Sequence, residues 1–316
     1  MQDRRSVYQS RRESLMSKID NGAAIFASAK QCRHKYRQDS NFFYLTGFKE
    51  PESICVLAPS HPEHRFVLFV RPRDRSQEIW TGKRAGVEGA KEEYGADAAY
   101  PISELDEALP KYFENVEKIY YTIGSDENLD KKVMDLLRRF RAKRYESCSG
   151  VCSIVDPAEI VQNMRAIKDA HEIELIRKAA EISCEAHVAA MKSVKPGMYE
   201  YQLQAVVEYA FLKNGALQPA YPTILGSGPN ATCLHYDAND CMIKDGHLVL
   251  IDTGAEYERY AADITRTFPA NGKFSDIQRK LYTIVLDAEI AAIESIKPGV
   301  KMSEPHERTV QVIVDG

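Results

Sequence analysis

The feature that most constrains this chain is a repeat within it. Residues 185–197 read EAHVAAMKSVKPG and residues 287–299 read DAEIAAIESIKPG, identical at seven of 13 positions at an offset of 102. Each copy ends an apolar helical pattern at Lys-Pro-Gly and leads into another helical pattern. The elements that come after the first copy are therefore expected again after the second. Strand-like segments and turns fill residues 217–268 after the first copy, whereas only 17 residues remain after Gly299. The second copy stops where its strands should begin.

With 316 residues, 44% of them hydrophobic, the chain is long enough for two domains of roughly 100–200 residues, each with its own core. We expect an α/β domain over residues 1–160 and a second domain over residues 161–316. Forty-two basic residues stand against 46 acidic ones, a net charge of -4, and neither sign clusters into a footprint for nucleic acid or anionic lipid. The apolar runs are far shorter than the ~20 residues that span a bilayer, so no membrane helix is expected. Residues 1–18 have no apolar run of the kind a secretory signal carries, and Asp3 and Glu13 interrupt any transit-peptide pattern. The seven cysteines, Cys32, Cys55, Cys148, Cys152, Cys184, Cys233 and Cys241, form no C-x-x-C pair, which fits neither a disulfide framework nor a zinc ribbon. Reduced thiols, several of them small core residues, and a cytoplasmic setting are the expectation.

In the first half, residues 23–27, 42–45, 53–58, 66–70 and 118–123 are rich in β-branched and aromatic residues and bounded by turn formers, so they are read as strands. Residues 102–112 and 129–140 carry apolar side chains at helical spacing. The basic cluster Arg138, Arg139, Arg141, Lys143 and Arg144 is read as a solvated helix end. In the second half, Asp169 and Glu172 form a capping-box pattern. It opens a helix whose apolar stripe is Ile173, Ile176, Ala180, Ser183, His187 and Ala190. His187 on that stripe is read as a packed, hydrogen-bonded core histidine. A second helical pattern covers about 199–213.

Two aspartates stand out in residues 248–268, LVLIDTGAEYERYAADITRTF. Asp252 closes one strand pattern and Asp263 opens the next, so a hairpin would bring both carboxylates to one end of a sheet. Like charges facing across strands are unfavourable unless a cation neutralises them. A strict 252–263 pairing would put a two-residue turn at Tyr257-Glu258, which lacks the usual Gly or Asn, and Gly254 offers a bulge that adjusts the register. The alternative is a pair of turn aspartates bonded to nearby backbone N–H groups. His235, in NATCLHY, is a third polar residue in the region. Oxygen ligands of this kind suit manganese or magnesium better than thiolate-seeking ions.

Together, IDTGAEYERYAADITRTFPANGKF, SGPNATCLHYDAND, MRAIKDAHEIELIRKAAEIS and RQDSNFFYLTGFKEP resemble the aminopeptidase P (Xaa-Pro aminopeptidase) members of the pita-bread metallopeptidases, over essentially the whole chain. The resemblance implies an α/β, creatinase-like N-terminal domain followed by an α+β pita-bread domain of two pseudo-symmetric halves. Only the first half and the start of the second are matched here. It implies a dinuclear-metal hydrolase that removes the N-terminal residue from peptides with proline second, and two divalent ions, manganese by the family's habit, on two aspartates, one histidine and two glutamates. By motif, Asp252 and Asp263 match the two aspartates, and His235 matches a further histidine that assists the reaction by hydrogen-bonding the substrate or its tetrahedral intermediate. Trp80, in EIWTGKRAG, matches an N-domain aromatic motif that lines a neighbouring subunit's site, against the ordinary reading of a packed Trp. A homo-oligomer is implied, with peptides as partners and neither nucleic acid nor membrane.

The sequence departs from the family in one respect. No motif for the ligand histidine or the two glutamates occurs before Gly316, and His306 and Glu307, in a helical pattern, are not taken as substitutes. Two carboxylates without the other three ligands are expected to bind metal weakly, so the chain alone is expected to be inactive. Prolidase, the Xaa-Pro dipeptidase, shares most of these motifs and is the competing enzyme reading. A non-catalytic binding module on the same scaffold is the competing reading of another class. Methionine aminopeptidases have no N-terminal domain of the YLTGF type.

Overall fold

A computed structural model describes residues 4–31, 35–114, 116–147 and 150–316. The chain forms two compact units, Met1–Lys168 and Asp169–Gly316.

The first unit is built on a six-stranded sheet of β1 (Gly22–Ala27), β2 (Ile54–Leu57), β3 (Phe66–Val70), β4 (Ala98–Pro101), β5 (Lys118–Tyr120) and β6 (Ser153–Val155), in the order β4-β3-β2-β1-β5-β6. β1, β2 and β3 pair antiparallel, and the two flanks are parallel. The central strands are apolar at every position because both faces are covered. Ile25, Val56, Val67 and Phe69 point into one core with Phe113, Leu129, Val133 and Phe140. Ala24, Cys55, Leu57 and Leu68 point into the other, with Leu15, Phe42, Leu45 and Phe48.

Among the described residues, seven helices accompany this sheet: α1 (Arg4–Met16), α2 (Ser40–Thr46), α3 (Arg75–Thr81), α4 (Gly86–Glu92), α5 (Leu105–Ala108), α6 (Glu127–Ser147) and α7 (Ala158–Ala166). Val161 of α7 is buried in this unit, and Tyr44 Oη donates to the carbonyl of Met164.

Three expectations are corrected here. Residues 42–45 are not a strand but the middle of α2. Asp39 caps that helix by accepting from the N–H of Phe42 at 2.8 Å, and Gly47 closes it in a left-handed conformation. The two caps override the β-like composition. Residues 102–112 are not one helix but short helical turns, Ile102–Glu104, α5 and Leu109–Phe113, divided where Pro110 has no N–H to continue the ladder. Among the described cysteines only Cys55 is buried, whereas Cys152, Cys184, Cys233 and Cys241 are exposed. They fall on solvent-facing positions of their elements. Cys32 and Cys148 lie outside the described residues. Arg138, Arg139 and Arg141 are exposed, while the side chains of Lys143 and Arg144 lie outside the description.

The second unit pairs α8 (Ala170–Ser193) with α9 (Glu200–Lys213) and α10 (Asp276–Ser295) with α11 (Ser303–Asp315). Asp169 and Glu172 form the capping box at the start of α8. The buried face of α8 is Ala179, Ile182, Ser183, Ala186, His187 and Ala190, rotated from the expected stripe, and Ile173 is exposed. Gly197 and Gly299, equivalent in the repeat, have φ of 93° and 92°. Both helix pairs thus turn through the same glycine conformation. Between them lie β7 (Gln218–Pro219), β8 (Ile224–Ser227), β9 (Leu248–Thr253), β10 (Ala255–Tyr257), β11 (Tyr260–Ala261) and β12 (Ile264–Pro269). They form two three-stranded sheets, β12-β9-β8 and β11-β10-β7. Among the described residues no helix is long and apolar enough to cross a membrane.

Candidate metal centre

The strands from Leu248 to Pro269 form one long hairpin. Asp252 pairs with Thr265, Thr253 with Ile264, Glu256 with Ala261 and Tyr257 with Tyr260. One register therefore runs from end to end, with no bulge at Gly254. The two-residue turn is Glu258-Arg259, one position later than a strict 252–263 pairing requires. Both residues have positive φ, 47° and 73°, the conformation of the hairpin turn that usually takes Asn-Gly.

This register puts Asp263 diagonally across from Asp252 rather than opposite it. Side chains alternate along a strand, so Asp252, Thr265 and Asp263 share one face of the hairpin. On β9 the other face is Val249, Ile251 and Thr253, all buried, and the first two pack in one core with Ile182, Ala186, Leu203, Val207 and Phe211 of α8 and α9.

Gly254 is where the hairpin is pinched against its partner strand. A Cβ placed there would meet the carbonyl of Ala262, so only glycine fits. On either side of it, α8 bonds the backbone of the hairpin. His187 Nε2 donates to the carbonyl of Thr253 at 3.3 Å, and the N–H of Ala255 donates to Ser183 Oγ at 2.9 Å. Ser183 and His187 are one helical turn apart, so a rigid helix fixes the chain between the two aspartates. His187 is buried as expected of a core histidine, and burial lowers its pKa below the usual value.

Tyr221, which sequence patterning did not single out, completes the cluster. Its hydroxyl lies 2.6 Å from Asp252 Oδ1 and 2.8 Å from Asp263 Oδ1. One hydroxyl touching both carboxylates holds them less than about 6 Å apart, within reach of a pair of ions ~3.5–4 Å from each other. Burial, followed by these two hydrogen bonds, pushes the Tyr221 pKa upward. The phenol therefore stays protonated and sits where two like charges converge. Among the described residues, no Lys or Arg is bonded to either carboxylate. Two carboxylates aimed at one point and bridged only by a hydroxyl form a donor set suited to a hard divalent cation.

His235 is exposed on the segment after the helical turn Gly228–Thr232, and among the described residues no hydrogen bond joins it to either aspartate. Trp80 belongs to the first unit. It is 85% exposed on α3, a helix with no buried residue, so the packed-Trp reading does not describe it.

The chain matches the metallopeptidase family M24 over residues 174–316 and the aminopeptidase P N-terminal domain over residues 8–120. It is 39% identical to the Xaa-Pro aminopeptidase of Escherichia coli, over 99% of this chain and 73% of that protein. It is 34% identical to the Xaa-Pro aminopeptidase of Haemophilus influenzae, over 98% and 71%. This chain belongs to the Xaa-Pro aminopeptidases, metal-dependent peptidases of family M24. The structure of aminopeptidase PepP from Pseudomonas aeruginosa superposes with a TM-score of 0.95 at 44% identity, covering 99% of this chain and 72% of that one. A substrate complex of the Escherichia coli aminopeptidase P gives 0.94 at 38%, covering 100% and 73%. A zinc-substituted form of the latter has been solved with product. The α/β N-terminal domain and the pita-bread second domain inferred from the motifs are those of this family.

Proposed function

We propose that this chain carries the aspartate side of an Xaa-Pro aminopeptidase centre, acting on peptides with proline second. The observation that carries the reading is the Asp252, Asp263 and Tyr221 cluster, in a chain whose relatives are Xaa-Pro aminopeptidases. Asp252 and Asp263 hold divalent metal, with manganese as the ion, and the hairpin register and α8 fix their separation. The metal, when bound, supplies activation of the water nucleophile and stabilisation of charge on the carbonyl oxygen. Tyr221, with one O–H between two carboxylate oxygens, donates to one or the other and orients the pair. His235, exposed on its loop, offers a ring N–H to the carbonyl oxygen of the scissile bond, where charge develops. Proline at the second position has no backbone N–H to satisfy, so the pocket selects its ring by shape. Trp80, exposed on α3, lines a site in a neighbouring subunit of a homo-oligomer, and the protein works in the cytoplasm.

Manganese uptake by the purified chain, monitored by electron paramagnetic resonance, tests the metal assignment. Wild-type chain is expected to take up the ion. Asp263→Asn is expected to abolish the uptake, and uptake unchanged in that variant would overturn the assignment. In enzyme carrying the full ligand set, Asp263→Asn removes most turnover. Cleavage confined there to dipeptides would favour a dipeptidase instead.

A further inference from the structure

Between β8 and β9 the chain runs for 20 residues without a strand, and this stretch carries His235. A connection of that length inside a compact unit is uncommon unless it serves a function. Leu234 is 89% exposed and His235 is exposed beside it, so packing does not fix the tip. The flanks are fixed instead, and one side chain bonds both of them.

Glu200, the first residue of α9, is completely buried. Its Oε1 accepts from the N–H of Ser227 at 2.7 Å, from Ser227 Oγ at 2.8 Å and from Asn230 Nδ2 at 3.4 Å. Its Oε2 accepts from Tyr236 Oη at 2.8 Å and from the N–H of Cys241 at 3.0 Å. Its own N–H donates to the carbonyl of Cys241 at 2.9 Å. One oxygen thus holds the segment before His235 and the other holds the segment after it. The contact to Tyr236 is on the adjacent residue.

A second staple lies beyond it. Asn239, buried and at φ 46°, accepts from the N–H of Leu225 and donates to the carbonyl of Thr223, pairing with β8 as a strand residue would. Glu200, Asp240 and Cys241 also offer ligand atoms within 4.8 Å of one another. Both Glu200 oxygens, however, are already taken by five donors, which makes the cluster structural.

We propose that Glu200 is the positioning residue for His235. It gathers both flanks of the loop onto one rigid helix end and so sets where the imidazole is presented. The catalytic consequence rests on the aminopeptidase reading, while the ordering of the loop does not. The five donors explain why a carboxylate is needed: Gln would turn one acceptor into an NH2 facing the N–H of Ser227 or of Cys241, which can only donate, so the bond to one flank is lost.

The test uses the chain with 13C-labelled histidine, the His235 ring signal being assigned by its loss in His235→Ala. In the wild type we expect a narrow His235 line. In Glu200→Gln that line broadens or splits, while the line of His187, in the core of the same unit, stays in place and thermal unfolding stays cooperative. A His235 line as narrow in Glu200→Gln as in the wild type would overturn the proposal. So would equal broadening of His235 and His187, the mark of a general loosening. If Glu200→Gln does not fold, Tyr236→Phe removes the Glu200 bond on the residue next to His235 while leaving those at Cys241, and a His235 line that keeps its width in that variant overturns the proposal equally. Turnover by His235→Ala in metal-loaded enzyme with the full ligand set is a separate measurement. If it stays normal, the catalytic reading of His235 fails while the Glu200 result stands.

Discussion

The two helix pairs of the repeat share sequence, cap glycine and turn, yet they differ in burial. In the first pair, α8 buries Ile182, Ala186 and Ala190, and α9 buries Leu203, Val207 and Phe211, in one core with Val249 and Ile251 of β9. In the second, α10 buries only Ala288 and α11 buries nothing. Leu281, Val285, Ile293, Val310 and Ile313 stand in solvent. Helical periodicity therefore specifies which side is apolar, but burial comes from what lies opposite. The first pair has a strand layer packed over it; among the described residues the second has none.

The largest expected effect separates the pairs directly. Phe211→Ala, in the covered pair, should destabilise the second unit by about 3–5 kcal/mol. Leu281→Ala, at 58% exposure, should stay within about 0.5 kcal/mol. Urea unfolding of the two variants checks this, and comparable losses would mean that the second pair is covered in solution.

Next in size is the opposite face of the same sheet, held by polar contacts rather than apolar ones. Tyr221→Phe leaves two carboxylates facing each other without a donor and should cost about 1–3 kcal/mol at neutral pH. The folded-state pKa of Tyr221 is raised above the unfolded value of 10. Its contribution is therefore present below pH ~10 and is lost as pH rises further, because the unfolded chain sheds the phenol proton first. Wild type should lose stability above that pH more steeply than Tyr221→Phe, and parallel pH profiles would refute the role given to the hydroxyl.

The smallest difference concerns the cap glycines. Gly197→Ala and Gly299→Ala meet no atoms within 4 Å, so each costs only a positive φ, roughly 1 kcal/mol, the low end of the left-handed penalty. Because the second pair is joined to little else, we expect the loss at Gly197 to appear in the main unfolding transition. The loss at Gly299 should appear only as faster amide exchange in α10 and α11.

The sequence carries much of this, but unevenly. The repeat, the capping box at Asp169 and the pairing of two aspartates across a hairpin are all written in local pattern. Helix α2 is not, because Asp39 and Gly47 outweigh the aromatic run between them. Tyr221 was invisible because it lies outside any strand, and only the tertiary path brings its hydroxyl to both aspartates. Glu200 reads as an ordinary first-turn acid, since helical spacing cannot report five donors arriving from a loop far along the chain. Ser183 and His187 were legible as stripe residues, but their grip on Thr253 and Ala255 was not.

The unbroken hairpin register also sets where this gene can tolerate changes in length. Residues added at the Glu258-Arg259 tip lengthen the turn and leave the diagonal of Asp252 and Asp263 untouched. A single residue inserted within 253–257 or 260–262 would reverse the alternation on one arm and send one carboxylate to the α8 side. Natural variants of this segment should therefore vary in length at the tip and keep both arms fixed.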